Sequence, residues 1–296
     1  MKSNKKYFVV SDTHSFATIL KESLEKAGFD INNSNHILII LGDVFDRGDE
    51  TLEMYDFIKS ISKDRLILVR GNHEYLYLEL LEKSFPSSAD FHNCTVKTFC
   101  DIAHEDAEQL TLQYWLDYFY STDIKYLLSA DEDDLMDTIN KKRYTIWNRV
   151  LAKVHDSEIT SWIKSSDWLN YYELDNYIFV HSFIPLKENN KLSNYFPTYK
   201  YMSDWREASD TDWYYAMWKC PFELFDRHLF DEEIKNNKIL VCGHWTSSDF
   251  HSHYENETQN NYNTYYSKNL IALDACTAMS LQINVLVLDD KLKIVK

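Results

Sequence analysis

Glycine is scarce in this chain of 296 residues, with five in all and only four prolines. No Pro/Gly/Ser-rich stretch is present to act as a linker, and no internal repeat is visible. The length then suits one large domain, or a core domain carrying an insertion. Positive charge is also in short supply. Lys and Arg number 31 against 47 Asp and Glu, a formal net charge of −16, which argues against a phosphate-backbone binder and a nucleic-acid duplex partner. The cysteines (Cys94, Cys100, Cys220, Cys242, Cys276) are odd in number and lack a C-x-x-C pair. Free thiols in a reducing cytoplasm are expected rather than a disulfide framework. Long apolar runs are missing too. The start, MKSNKKYFVVSDTH, holds an apolar run too short for a signal-peptide core, and nothing later reaches membrane-spanning length. The expectation is a soluble, cytoplasmic protein with no membrane partner.

Apolar residues, at 45%, and aromatics, at 15%, are plentiful enough to build a buried core and argue against disorder. A pattern recurs along the chain: a short, β-branched apolar run followed at once by a polar cluster. The instances are YFVV before SDTHS, ILIIL before GDVFDRG, LILV before RGNHE, YIFV before HS, and ILVC before GHW. Such runs read as strands buried on both faces of a sheet. Helical segments at Phe16–Lys26 and Glu50–Ser60 separate the early runs, with Gly28 suited to stop the first helix. This predicts a βαβαβ start and a parallel sheet. From residue 75 to 170 the pattern is helical. In SADEDDLMDTINKKRYTIWNRVLAKVHD, Ser129 and Glu132 read as a capping box, and Leu135, Ile139, Ile146, Val150 and Val154 recur at helical spacing. This segment reads as a helical insertion or cap on a core formed by residues 1–74 and 171–296. NLIALDA and LQINVLVLDD read as two further strands, antiparallel.

Each strand candidate ends in groups able to bind a metal or a phosphate: Asp12 and His14, Asp43 and Asp46, Asn72 and His73, His181, and His244. In open α/β sheets, ligands bind at the carboxyl ends of the strands, so these endings should converge. Carboxylate, amide and imidazole together suit borderline-hard divalent ions such as Mn²⁺, Fe²⁺ or Zn²⁺. Gly42, Gly48, Gly71 and Gly243 all sit in these loops, where the backbone must turn tightly or approach a ligand. Taken singly, each residue has an ordinary explanation as a helix cap, a core histidine or a surface charge. The repeated coincidence at one structural position argues for a site.

The motifs Asp12-Thr13-His14, Gly42 to Gly48 (GDVFDRG) and Arg70 to Glu74 (RGNHE), with the later His181 and His244, resemble the calcineurin-like metallophosphoesterases. More narrowly they are similar to the serine/threonine protein phosphatase branch, which includes the symmetrical diadenosine tetraphosphatases. The resemblance covers Lys6–Glu74 well, and Asn176–Ser182 and Lys238–Val287 more loosely. It implies an α/β fold of metallophosphoesterase type, a four-layer αββα sandwich, here with a helical insertion. It also implies two divalent cations, Mn²⁺ first, with Fe, Zn or Ni as alternatives. Asp12 and His14 would hold one and Asn72, His181 and His244 the other, with Asp43 bridging. A hydroxide shared by the two ions would attack phosphorus while His73, oriented by Asp46, protonates the leaving group. Arg47 would bind a phosphoryl oxygen, with Arg206 in SDWREASD as a second phosphate-binding candidate. The implied substrate is a phosphorylated protein or, alternatively, a dinucleoside polyphosphate or other small phosphoester. A non-catalytic phosphate-binding protein is the reading from another class.

Several features depart from the family or stay weak. Phe183 and Trp245 follow the late histidines where smaller residues are usual, so a narrowed cleft or a displaced His244 is expected. His251 and His253 read as surface histidines. Trp115, Trp147, Trp162 and Trp168 read as core, with a substrate lid as the alternative.

Overall fold

The computed structural model describes residues 5–122, 132–165, 167–189, 198–258 and 260–295. The chain divides into two compact units, Met1–Tyr75 with Ser166–Lys296, and Leu76–Ser165.

In the first unit the apolar runs become strands because β-branched residues pack well on a pleated surface. β1 (Lys6–Val10), β2 (His36–Ile40) and β3 (Leu66–Val69) pair in parallel, with Phe8 beside Leu38 and Leu38 beside Leu66. The crossovers are helices α1 (Ala17–Lys26) and α2 (Thr51–Lys59), which bury Leu20 and Leu24, and Met54 and Ile58. Gly28 lies past the end of α1 at φ +88°, a left-handed stop that costs glycine little. β4 (Trp168–Leu169) extends this sheet in parallel on β3. A second sheet is built from β5 (Tyr172–Leu174), β6 (Tyr177–Phe179), β9 (Ile239–Cys242), β10 (Tyr265–Tyr266) and β11 (Leu270–Ala272), in the order β10-β11-β9-β6-β5. β7 (Leu186–Asn189) and β8 (Thr198–Tyr201) form a separate antiparallel pair.

The period of two along each strand decides the layers. Val9, Ile37, Ile39 and Val69 point to one side of the first sheet, where they pack against Phe179, Val241 and Ile271 of the second. Phe8, Val10, Leu38 and Ile40, on the other side, are fully buried as well. Ile178, Val180, Leu240 and Cys242 face away from the first sheet and pack against Trp205, Trp213, Phe230 and Phe250. Two sheets back to back, each covered on its outer face, make the α/β sandwich.

The last two strands each have an antiparallel neighbour as expected, β11 in β10 and β12 (Leu286–Leu288) in β1, but they belong to different sheets. NLIALDA supplies β11, which runs parallel to β9 in the second sheet, whereas β12 runs antiparallel to β1 in the first. They do not pair with each other. The apolar run sets that a segment is a strand; the sheet that needs an edge covered sets which one it joins.

In the second unit, helix Glu132–His155 buries Leu135, Ile139, Ile146, Val150 and Val154. Leu135 and Ile139 pack on Leu112, Trp115 and Leu116. Trp147 is fully buried and stacks on Phe99 with centroids 5.7 Å apart, so it is core, as helical spacing suggests. Trp168 is a buried strand residue of the first unit. Ser129, the expected cap, lies outside the described residues.

A candidate metal centre

The loop after β2 carries Asp43 into the middle of the site. Asp43 Oδ2 lies 3.8 Å from His14 Nε2 and 3.9 Å from His73 Nε2, while its Oδ1 lies 3.5 Å from His181 Nε2. The two oxygens of one carboxylate therefore face two groups of potential ligands, His14–Asp43–His73 and Asp43–His181–His244. Shared membership is the geometry a bridging donor needs.

Each histidine's free nitrogen is set by what the other nitrogen bonds. His14 Nδ1 donates to the Phe45 carbonyl at 2.9 Å and His181 Nδ1 to the Leu41 carbonyl at 2.7 Å. Both rings thus present a bare Nε2, the tautomer that ligates a metal. His181 Nε2 stands 2.8 Å from Asn72 Oδ1 and 3.3 Å from His244 Nδ1. Burial holds the His14 and His181 imidazoles well below their ordinary range and takes His244 down to about 4. The bare His181 Nε2 and the Asn72 Oδ1 are then two acceptors 2.8 Å apart, with Asp43 Oδ1 3.5 Å from the same nitrogen. A cation between them resolves that arrangement, so the donor set fits one.

The carboxylates show the same need. Burial pushes Asp43 up to about 7 and Asp12 well above the usual carboxylate range, with the charges of Asp274 and Asp43 adding to the effect on Asp12. Asp12 sits just outside the two tight groups. Its Oδ2 accepts the His244 N–H at 3.0 Å and the Ser11 hydroxyl, tying the first sheet's loop to the second's. Trp245 does not push His244 away. Its ring turns toward Phe222, at 5.7 Å, and Phe183 is buried in the core.

His73 opens α3 (Asn72–Leu81) together with Asn72. Its Nδ1 lies 2.6 Å from Asp46 Oδ2, and its N–H donates to Asp43 Oδ1 at 2.9 Å. Burial alone would lower the His73 pKa, but the Asp43 charge and the Asp46 hydrogen bond outweigh it and hold it above the ordinary value. Arg47 is exposed, and its charge reaches His14, Asp43, His73 and His244. No hydrogen bond or ion pair engages its guanidinium among the described residues. Arg206 is not brought to this cluster. It lies in ion pairs with Glu173 at 2.5 Å and buried Glu233 at 3.1 Å, over the Trp205 ring. Among its described contacts it binds carboxylates, and a second phosphate-binding arginine is not provided by that placement. His251 and His253 likewise bond elsewhere, to Glu255 and Asp226.

The loops are strained. Asp12, His14, Asp43, Asp46, Arg47 and His244 all have positive φ, between 46° and 73°, a conformation costing on the order of 1 kcal/mol or more per non-glycine residue. The glycines serve mainly by lacking a side chain. A Cβ on Gly71 would collide with Asp43 and press on His181, and one on Gly243 would collide with Ser11 and Asp12.

Glu74 offsets part of the strain, and the sequence reading assigned it no role. Its carboxylate accepts the N–H groups of Gly71 at 2.7 Å, Asp43 at 3.0 Å and Val44 at 2.9 Å. It thereby pins the β2 loop to the β3 loop. Its position directly after Asn72-His73 was the available signal. Asp274 was missed as well. Buried just after β11, it accepts the Cys276 N–H at 2.7 Å, and burial pushes its carboxyl up to about 6. The run LIAL before Asp274 repeats the strand-then-acid pattern of the other loops.

A family model described as calcineurin-like phosphoesterase matches residues 5–247. No curated protein matches the sequence. Among solved structures, a provisionally named diadenosine tetraphosphatase is 12% identical over 99% of this chain and 92% of its own, with a TM-score of 0.44. A cold-active protein-tyrosine phosphatase of a psychrophilic Shewanella is 14% identical over 97% and 76%, at 0.45. A protein serine/threonine phosphatase from Saccharomyces cerevisiae is 13% identical over 92% and 67%, at 0.39. On the family match, which spans most of its length, the chain belongs to the calcineurin-like phosphoesterases.

Proposed function

We propose that the chain is a metal-dependent phosphatase acting on phosphomonoesters, with two divalent cations, Mn²⁺ first, held around Asp43. Phosphorylated serine or threonine side chains of proteins are the substrate to which the motif order points. The observation that carries the reading is the His73–Asp46 pair, 2.6 Å apart beside the Asp43 cluster. Binding a phosphate requires no proton donor; expelling an alkoxide does.

Asp43 would serve both cations through its two oxygens, with His14 beside one and His181, His244 and Asn72 beside the other. Asp12, bonded to the His244 N–H, would complete the first. Bound there, a pair of dications supplies charge stabilisation for the phosphoryl group and an acidified water. Asp46 accepts a hydrogen bond from the Nδ1–H of His73, which leaves Nε2–H of the imidazolium as the end that delivers a proton to the departing oxygen. Were Asp43 shared with cations, the Asp46 hydrogen bond would remain to hold the His73 imidazolium in its protonated form. Arg47 offers a planar fork to phosphoryl oxygens.

A panel of phosphopeptides, dinucleoside tetraphosphates and aryl phosphates with Mn²⁺ tests the reading. His73→Asn should lower kcat about 10²–10⁴-fold on poor leaving groups with metal content unchanged. An unaltered rate on an alkyl phosphate removes His73 from this role. Hydrolysis of a dinucleoside polyphosphate is the second reading, and one observation favours it: an exposed tryptophan ring lies against His244.

A further inference from the structure

The helix Asp210–Ala216 buries Trp213 and Ala216 on its inner side. Trp213 stacks on Tyr171, with centroids 5.3 Å apart. Its other side would ordinarily be polar, but half-buried Tyr214 and exposed Tyr215 occupy it, and Trp218 follows two residues past its end. Tyr215 is 60% exposed and Trp218 39%, and Trp218 is the one tryptophan among the exposed large apolar side chains of the described residues.

These rings are not scattered. The Trp218 ring meets the His244 ring edge-on, with centroids 5.7 Å apart and planes at 88°. Tyr214 lies 6.4 Å from Trp218 and 5.2 Å from Tyr75. Tyr75 directly follows His73 and Glu74 in α3, and the Arg70 guanidinium stands 5.4 Å from its ring centroid. A continuous aromatic line thus starts at a cluster histidine and ends beneath a cation. The buried Trp213 and Ala216 already anchor the helix, and the exposed Tyr215 and Trp218 rings lie outside that anchoring contact. An exposed ring beside a polar site is, by its chemistry, a face for another flat ring. Stacking of this kind tolerates any π-system.

We propose that Trp218, with Tyr214 and Tyr75 beside it, is a stacking ledge for a planar ring carried by the phosphoester. The ledge selects ring-bearing substrates, a phenolic ester or a nucleoside polyphosphate, over alkyl phosphates. This rests on the reading of the Asp43 cluster as a phosphoester-hydrolysing site. It shifts the choice between the two substrates above toward the one that carries rings.

The test uses the full-length protein loaded with Mn²⁺. Phenyl phosphate and diadenosine tetraphosphate are compared with glycerol 2-phosphate and O-phosphoserine, and the two ring sources are scored separately. The ratio of kcat/KM for ring-bearing over ring-free substrates is expected to exceed ten. Trp218→Leu should lower that ratio about tenfold, mainly through KM, with Trp218→Phe restoring part of it. Binding of phenylphosphonate against methylphosphonate reads the ledge without turnover, and the phenyl preference should shrink in Trp218→Leu. Equal loss on both substrate classes, or an unchanged preference in both rate and binding, overturns the ledge. If no ester is hydrolysed but phenylphosphonate still binds through Trp218, the ledge stands and the hydrolytic reading falls. Thermal melts show whether Trp218→Leu is folded; if it is not, Tyr214→Leu replaces it with the same expected direction.

Discussion

Asp43 and His244 both face His181, yet they are held there by different means. Asp43 belongs to a set of loops braced among themselves: its N–H goes to Glu74, and its Oδ1 accepts the His73 N–H. All of these partners lie within one stretch of the chain, and the Asp12 and His14 N–H groups bond the same β2 loop. The second sheet's histidines are held instead from the first sheet. His181 is oriented by the Leu41 carbonyl and His244 by the Asp12 carboxylate. One half of the site is therefore self-contained, and the other exists only while the two sheets pack together.

Removing the shared donor tests this contrast hardest. Asp43→Asn should cost both cations and with them the activity; elemental analysis that still finds two tightly held ions would dissolve the idea of a bridge. His244→Ala should affect one group only. After dialysis against Mn²⁺, a single retained ion is expected, and loss of both would mean that the two halves are not separable. Glu74→Gln turns one carboxylate oxygen into an amide that faces N–H donors, so at least one brace is lost. Cation affinity measured by titration should weaken about 10–100-fold, with kcat recovering at saturating Mn²⁺; unchanged affinity would make Glu74 a bystander.

The smallest effect is a pH dependence. Asp43 is pushed up to about 7 from 3.8. A carboxyl whose folded pKa is raised contributes stability that is fully present below its unfolded value and is lost as pH rises through the folded one. Asparagine mimics the protonated form at every pH. The melting temperature of cation-free Asp43→Asn, relative to that of cation-free wild type, should therefore climb from pH 4 to 7. His14 and His181, held low mainly by burial, titrate in both proteins, whereas His73 loses the Asp43 charge that raises it in wild type. A flat difference would show that the carboxylate is better solvated than its burial indicates.

Much of the first half was legible in advance. The runs before Asp12, Asp43 and Asn72 are strands, and the segments between them are α1 and α2 with boundaries shifted by a residue. Local pattern suffices there because neighbouring strands are joined by single short crossovers. Arg206 shows the opposite case. In sequence it is an arginine among acids, much like Arg47, and only the fold puts it between Glu173 and Glu233 while leaving Arg47 exposed beside the cluster. That β11 is antiparallel to β10 on one side but parallel to β9 on the other was hidden for a related reason. Partner choice depends on which edge is open, and no apolar run records that. Left-handed φ at Asp12, Asp43 and His244 was also hidden, since nothing in an aspartate or histidine marks it as strained.

The chain's own letters were enough to specify donor chemistry and its order: carboxylate, imidazole and amide at the ends of apolar runs, with too little positive charge to bind phosphate without help from cations. Which donors share a space was settled by folding. Two sheets had to stack before His181 and His244 could reach Asp43, because contact between residues so far apart depends on burying the apolar faces between them.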